Sequence, residues 1–158
     1  MLLELAAVAA SCLIMALYLT AYICNAGLPA SLSATFYRTE RKWLFPLTIA
    51  TSGLMAMVPL LNHTPDTYRC VAFFIVAATL FVASAPAFRD EFIGRVHATA
   101  AAILGLSTLT WLILTIGWPW LVLAGLCIAL LDHPHFLLWL ELGLLTNLYS
   151  ALTATLLT

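Results

Sequence analysis

Six long apolar runs constrain the fold of this chain more than any other feature. They are separated by short polar, charged or Pro/Gly-containing turns, and they cover residues 2–25, 43–61, 69–87, 96–117, 118–131 and 135–157. A helix needs about 20 apolar residues to cross a bilayer. The chain is 64% hydrophobic and 8% charged, whereas about 25% of the residues in a typical soluble domain are charged. The runs therefore predict an all-α, polytopic integral membrane helical bundle that forms one transmembrane domain over residues 1–158.

The fifth run, WPWLVLAGLCIALL at 118–131, is short for a membrane span. As a helix it would cover about 21 Å at 1.5 Å per residue, whereas the hydrocarbon core of a bilayer is about 30 Å thick. It does not continue the fourth run, because Gly117-Trp118-Pro119 marks a helix break. We therefore predict six transmembrane helices, with five helices plus a re-entrant segment as the alternative.

The distribution of Lys and Arg between the turns predicts the orientation of the chain. The turns at 26–42 and 88–95 hold five basic residues and the turn at 62–69 holds one, namely Arg38, Arg41, Lys42, Arg89 and Arg95 against Arg69. Cytoplasmic loops carry the excess of Lys and Arg. We therefore expect a protein of the bacterial cytoplasmic (inner) membrane with its N-terminus outside, so that residues 132–135 face the cytoplasm.

Five titratable residues are candidates for a polar cluster on that side. They are His97, Asp132, His133, His135 and Glu141. The three histidines are the candidate metal ligands, but His133 and His135 flank a proline and do not share a helical face as i and i+4 ligands do. An Asp followed by a Pro is also typical of a helix start. A helix-capping turn is therefore favoured over a metal site, and no metal or other cofactor is predicted.

Glu141 is the residue that a purely structural interpretation explains least well. It lies about two turns, near 9 Å, into the last helix, where a carboxylate is costly and marks a functional site by default. The alternative is a protonated or snorkelling Glu partnered by a hydroxyl. In the first basic turn, Ser31, Ser33 and Thr35 could supply a nucleophile, but no G-x-S-x-G motif surrounds them. We expect them to make capping or loop hydrogen bonds.

Polar residues also recur along single helix faces. Candidates for a solute or lipid path are Glu4, Ser11, Tyr18 and Tyr22 on the first helix and Asn147 on the last. The alternative for the first helix is a packing face whose hydroxyls bond to neighbouring helices, with Glu4 at the wet end. On the fourth run His97, Ala101, Leu104 and Thr108 share one face. The last helix carries a small-and-polar stripe suited to contact with other helices or another subunit, made up of Gly143, Asn147, Ser150 and Ala154.

Two segments resemble known membrane families. They are Asn25-Ala-Gly-Leu-Pro-Ala-Ser-Leu-Ser-Ala and Leu138-Trp-Leu-Glu-Leu-Gly-Leu-Leu-Thr-Asn-Leu-Tyr149, about 22 residues in all. They are similar to six-span families that include the DRAM-type and GPI-anchor-remodelling proteins, which have a Pro-Ser-x-Ser turn after the first span and a Glu-to-Asn pattern in a late span. The resemblance implies a six-span membrane fold.

Three functional hypotheses follow from this pattern. The leading one is a non-enzymatic membrane protein that binds lipid or a small solute, or that acts as a subunit of a membrane assembly. Its expected partners are membrane lipids and a second copy or a partner membrane subunit. Nucleic acid is excluded, since the net charge is -1 and no basic run is present. The alternatives are a lipid hydrolase or transferase at the cytoplasmic interface, with or without a metal, and a proton- or ion-coupled transporter that uses Glu141.

Overall fold

The computed structural model describes residues 1–87 and 89–157, and these residues form helices and no strand. The helices are α1 (Leu2–Ala26), α2 (Thr35–Arg38), α3 (Leu44–Asn62), α4 (Arg69–Ser84), α5 (Glu91–Ile116), α6 (Trp120–Leu131) and α7 (Phe136–Leu157). Two 3-10 turns, Asp66–Tyr68 and His133–His135, precede α4 and α7. The predicted all-α class is therefore confirmed for the described residues.

Five of the helical segments are long and apolar enough to cross a membrane. They are Leu2–Ala26, Leu44–Asn62, Asp66–Ser84, Glu91–Ile116 and His133–Leu157. The fifth predicted run gives α6, which has only 12 residues. It covers about 18 Å. The structure therefore contains five helices of spanning length and one shorter apolar helix.

The helix ends differ from the predicted bounds by three residues or more in two places. Helix α5 begins at Glu91 rather than 96, because its first turn is polar and extends the helix beyond the apolar run. Helix α4 ends at Ser84 rather than 87. The residue before Pro86 is disfavoured in helical conformation, which accounts for the earlier end. The short helix α2 in the first basic turn was not predicted.

Neighbouring helices pack in chain order, and α7 closes the bundle. Helix α1 packs on α3, α3 on α4, α4 on α5 and α6 on α7, while α7 also contacts α1 and α5. The core divides into two clusters along the bundle. One cluster contains Val8, Trp111 and Leu152, and the other contains Phe36 and Phe45. The two clusters leave room for a cavity between the long helices.

The two ends of the bundle differ in charge. At one end the backbone N–H of Leu138 donates to the carbonyl of Ala30 (3.2 Å), and the N–H of Arg89 donates to the hydroxyl of Tyr37 (2.6 Å). These contacts join the turn at 27–43 to the start of α7 and to Arg89 in the turn before α5. Since both turns are basic, we call this the basic end. At the opposite end Glu4 accepts a hydrogen bond from Asn62 (2.8 Å).

The outer surface of the bundle is apolar. Large side chains on all five helices of spanning length are more than half exposed, among them Leu13, Leu47, Phe73, Leu106 and Leu137. A water-soluble monomer rarely exposes a contiguous apolar surface of this kind. The surface is therefore of the type that contacts lipid or another apolar partner.

Candidate functional site

A cavity of about 180 Å³ lies between α1, α3, α4, α5 and α7. Its lining is mostly aliphatic, and its polar members are Ser33, Ser52, Thr79, Thr108, Glu141 and Tyr149. Along α3 the lining runs from Phe45 to Leu60, a distance of about 22 Å. Ser33 and Glu141 belong to the segments joined at the basic end. This central cavity is therefore a long, mostly apolar space with Ser33 and Glu141 towards the basic end.

The turn after α1 folds inward and supplies the first of these polar groups. Gly27 has φ +77°, a left-handed conformation that glycine adopts without strain and that lets the chain leave α1. The Ser31 hydroxyl accepts a hydrogen bond from the N–H of Ala34 (3.1 Å), and the Thr35 hydroxyl donates to the carbonyl of Leu32 (2.6 Å). These are the loop hydrogen bonds expected from the sequence. Ser33, the hydroxyl between them, instead reaches a side chain of α5.

Ser33 and His97 form a buried pair. The Ser33 Oγ lies 2.9 Å from Nε2 of His97, and Nδ1 of His97 lies 2.9 Å from the carbonyl oxygen of Ala85. A carbonyl oxygen only accepts, so Nδ1 carries the ring proton. In the neutral ring Nε2 is then the acceptor, and the Ser33 hydroxyl donates to it. A hydroxyl, a base and a group that orients the base are the elements of nucleophilic catalysis.

Glu141 reaches the same turn from α7. Its Oε2 accepts a hydrogen bond from the backbone N–H of Leu32 at 2.6 Å. The predicted hydroxyl partner is therefore replaced by a backbone donor. Within residues 1–87 and 89–157, the carboxylate has no ion pair with Lys, Arg or His, and its Oε1 has no hydrogen-bond donor. One oxygen of the Glu141 carboxylate, which lines the cavity, therefore has no donor among the described residues.

The turn at 132–135 is a 3-10 turn that leads into α7, but the Asp132 side chain caps no backbone N–H. Pro134 has no N–H, and the N–H of His135 donates to the Asp132 carbonyl (3.0 Å), so neither usual capping donor is free. The Asp132 carboxylate instead accepts from the Trp139 indole N–H (2.8 Å) and from Nδ1 of His135 (3.0 Å). Both hydrogen bonds lower the pKa of Asp132 below its usual value, and the bond from Trp139 has the larger effect.

The five candidates for a polar cluster do not meet at one point. His97 bonds to Ser33, Glu141 bonds to Leu32, and Asp132 bonds to His135, while the His133 side chain is exposed. Within the described parts of the chain, no three His, Cys, Asp or Glu side chains lie close enough to hold a metal ion. The histidines at 97, 133 and 135 are therefore not brought together as a ligand set.

The polar face of α1 is largely a packing face. Ser11 is fully buried and bonds to the hydroxyls of Ser52 (2.8 Å) and Tyr149 (2.7 Å). Tyr18 bonds to the hydroxyl of Thr35 (2.7 Å). The hydroxyl of Tyr22 is buried and has no hydrogen-bond partner among the residues that the structure describes. Glu4, Ser11, Tyr18 and Tyr22 are not among the described residues that line the cavity, whereas the partners of Ser11 on α3 and α7, Ser52 and Tyr149, do line it.

Asn147 does not line the cavity, and its side chain instead makes a structural contact with α6. Its Oδ1 accepts a hydrogen bond from the backbone N–H of Leu121 (3.0 Å) at the first turn of α6. Asn147 lies 11 residues after Phe136, about 16 Å along α7. The side chain therefore satisfies one of the free N–H groups where α6 begins within the bundle.

The sequence pattern predicted one lining face but not the two lining hydroxyls that bond to another helix. Ala101, Leu104 and Thr108, on the predicted face of α5, line the cavity. Ser52 and Tyr149 were not among the predicted site residues. A hydroxyl inside an apolar run was the available signal for both, but many such hydroxyls bond only to their own helix, as Thr110 does to the carbonyl of Leu106 (2.8 Å).

Comparison with protein-family models, with curated proteins and with solved structures finds no match to this chain. The resemblance to six-span families therefore stays a prediction, and the contacts of the cavity are the basis for assigning a function.

Proposed function

We propose that the protein is an integral membrane protein that binds a small amphiphile in the central cavity, without catalysis. The polar group of the ligand donates a hydrogen bond to Glu141, and its apolar part fills the aliphatic space between α3, α4 and α5. The proposal rests on the Glu141 carboxylate. It lines the cavity, and its one hydrogen bond within the described residues comes from the backbone N–H of Leu32.

The size of the cavity limits the ligand. An apolar cavity of about 150 Å³ in another protein stays dry and binds benzene. The volume here is about 180 Å³, so a ligand with one aromatic ring or a short aliphatic chain fits. A whole phospholipid does not fit, although the end of one acyl chain does.

The charge of the site limits the polar group of the ligand. A carboxylate held away from bulk water is costly unless donors or a cation compensate it. One backbone N–H compensates it only in part, because a carboxylate has two oxygens with about four acceptor positions. A ligand with an ammonium or another strong donor fills the remaining acceptor positions of the carboxylate, so we infer an amine-bearing amphiphile.

A panel of three probes of similar shape tests this function. Benzylamine, benzyl alcohol and toluene are titrated into the protein in lipid nanodiscs, with empty nanodiscs as the reference for partitioning into lipid. Benzylamine is expected to bind the tightest. Glu141→Gln is expected to weaken benzylamine about tenfold, the loss of one charge-assisted hydrogen bond, and to leave toluene unchanged. Glu40→Gln, an exposed carboxylate at the same end, is the matched control.

Two results would overturn the proposed function. One is equal binding of the three probes, since the carboxylate would then contribute nothing to recognition. The other is an equal effect of Glu141→Gln and Glu40→Gln on benzylamine, since a general electrostatic attraction would then explain the binding.

The proposed location is the cytoplasmic membrane of a bacterium, with the N-terminus outside. The five apolar helices of spanning length support the membrane location. The orientation rests on the basic end, which holds Arg38, Arg41, Lys42 and Arg89. In this orientation the Glu141 end of the cavity faces the cytoplasm.

A second candidate function is acyl transfer or hydrolysis, and the Ser33–His97 pair favours it. In that reaction the Ser33 oxygen attacks an ester carbonyl of an amphiphile in the cavity, and His97 takes the hydroxyl proton and passes it to the leaving alcohol. Water then releases the acid from the acyl-serine. The distances of 2.9 Å on both sides of the imidazole are those that this chemistry needs.

A fluorophosphonate probe separates this candidate from simple binding. If Ser33 is a nucleophile, its peptide carries the label in the wild type and in Ser31→Ala, and the label is absent in Ser33→Ala and strongly reduced in His97→Gln. Ser31 is the matched control because it is buried in the same turn but bonds to a backbone N–H. Unlabelled Ser33 in the folded protein would remove the catalytic candidate.

A further inference from the structure

A second concavity lies on the outer surface, between α4 and α5, and is separate from the central cavity. Its volume is about 500 Å³. Phe74 and Phe81 of α4 form one wall, and Arg95, Thr99 and Ile103 of α5 belong to the other. We call this space the α4–α5 groove. Since the other residues that line it are Ala and Val, Arg95 and Thr99 are its only polar members within the described residues.

The shape of the groove suits a single acyl chain. Phe74, Phe81 and Ile103 are 58%, 56% and 41% exposed, so they face the surroundings of the bundle. From Arg95 to Ile103 the groove follows α5 for about 12 Å. The groove therefore has an apolar floor that lies along the helices and polar groups at one end.

The guanidinium of Arg95 is available at that end. The acidic group nearest to it is Glu91, at 3.8 Å, and the two side chains are 73% and 90% exposed. An exposed pair at that distance contributes little, so Glu91 does not occupy the guanidinium. Arg89, the other basic residue next to α5, lies instead over the ring of Tyr37 (4.1 Å). Arg95 is thus the basic residue that the groove itself presents.

Thr99 supplies a second polar group one turn deeper. Arg95 and Thr99 are four residues apart and share one face of α5. The hydroxyl of Thr110, also on α5, donates to the carbonyl of Leu106 (2.8 Å), whereas the hydroxyl of Thr99 has no hydrogen-bond partner in residues 1–87 and 89–157. A cation and an unused hydroxyl therefore lie in line above an apolar floor.

We propose that the α4–α5 groove binds one anionic glycerophospholipid. One acyl chain lies between Phe74, Phe81 and Ile103, the phosphate accepts hydrogen bonds from Arg95, and the Thr99 hydroxyl donates to a phosphate or ester oxygen. Arginine suits this role because its planar guanidinium binds phosphate with two parallel hydrogen bonds. The site is independent of Glu141, since the two spaces share no lining residue.

Native mass spectrometry of the purified, detergent-solubilised protein tests the proposal. Phosphatidylglycerol and phosphatidylcholine with the same acyl chains are added at equal concentration, and the lipid adducts are counted. We expect one phosphatidylglycerol to be retained in preference to phosphatidylcholine. Arg95→Gln is expected to lower phosphatidylglycerol binding about fivefold, as for about 1 kcal/mol from one basic residue at a membrane surface.

Two further variants separate a built site from general attraction. Arg41→Gln removes an exposed charge at the same end but outside the groove, so phosphatidylglycerol retention should be unchanged. Ile103→Trp fills the groove, so both lipids should be lost. Equal losses in Arg95→Gln and Arg41→Gln, or retention of phosphatidylglycerol by Ile103→Trp, would overturn the proposal. Circular dichroism of each variant checks that the helices are intact.

Discussion

At the scale of single residues, Glu141 is the side chain on which the proposed function depends. The sequence alone singled it out, because a carboxylate about two turns into an apolar helix is costly. The sequence could not supply its partner, since Leu32 is 109 residues away and donates a backbone N–H. A backbone group leaves no trace in the side-chain pattern. The residue was therefore predictable, whereas its contact required the fold.

Ser33 and His97 illustrate the same limit. From the sequence, Ser33 was interpreted as a loop residue and His97 as a candidate metal ligand, each separately. Their pairing depends on the turn after α1 folding inward onto α5, across 64 residues of sequence. No local periodicity predicts such a contact, so the pair could not be inferred from spacing.

The turn before α7 makes a prediction about pH at the residue scale. The pKa of Asp132 lies below its ordinary value of 3.8, because Trp139 and His135 donate to the carboxylate. A lowered pKa stabilises the fold above pH 3.8, and this contribution is lost as the pH falls through the pKa of the folded state. Thermal unfolding in detergent between about pH 2 and 6 should show this loss in the wild type.

Asp132→Asn is the variant that isolates this effect. It keeps the size of the side chain and removes the titration, so its unfolding temperature should depend less on pH over the same interval. Asp66→Asn, at the opposite end of the bundle, is the control because its ion pair with Arg69 is exposed. If Asp132→Asn and the wild type lost stability in parallel, the carboxylate would not be the group that titrates.

At the scale of single helices, α6 is short, and close packing against α7 holds it in the bundle. Gly125 of α6 and Gly143 of α7 face each other, and a Cβ built on Gly125 would lie 2.6 Å from the carbonyl oxygen of Trp139. The sequence predicted the helix break at 117–119 and the shortness of α6. It also predicted that Gly143 and Asn147 are contact residues, but it could not assign α6 as the partner of either.

Gly125→Ala should separate α6 from α7. Because the obstructing atom belongs to the backbone, the helices must move, and we expect a loss of about 1–3 kcal/mol in the free energy of unfolding. Gly105→Ala is the matched control, since its Cβ would meet only Leu144 at 3.8 Å. That change should be neutral or stabilise α5 by up to about 1 kcal/mol.

Reversible unfolding in mixed micelles measures both glycine variants. A loss for Gly125→Ala together with no loss for Gly105→Ala would support close packing of α6 on α7. Equal stabilities of Gly125→Ala and the wild type would contradict it, because the carbonyl of Trp139 would then not restrict the approach of the helices.

At the scale of the whole molecule, the amino-acid composition predicted the fold class and little else. A chain this apolar forms long helices with an apolar outer surface, and five such helices are present in the part of the chain that the structure describes. The small-and-polar stripe of α7 is divided in the fold. Gly143 and Asn147 are buried, whereas Ser150 and Ala154 are exposed. A second copy or partner subunit, if bound through this stripe, would therefore contact only its later part.

The proposed orientation makes a prediction for the intact membrane. In a variant whose four native cysteines are serine, His133→Cys should react with a membrane-impermeant maleimide only from the cytoplasmic side. Thr67→Cys should react only from the outside, since Thr67 is exposed in the turn before α4. Reaction of both cysteines from one side would contradict the bundle as a set of membrane spans, and the reversed pattern would contradict the orientation.

In the proposed function, Glu141 holds the polar group of a ligand inside the central cavity. A structure of the protein in lipid nanodiscs saturated with benzylamine tests this directly. We expect the amine nitrogen at about 3 Å from a carboxylate oxygen of Glu141, with the ring among the aliphatic side chains of the cavity. An empty cavity at saturation, or benzylamine bound elsewhere on the protein, would contradict it.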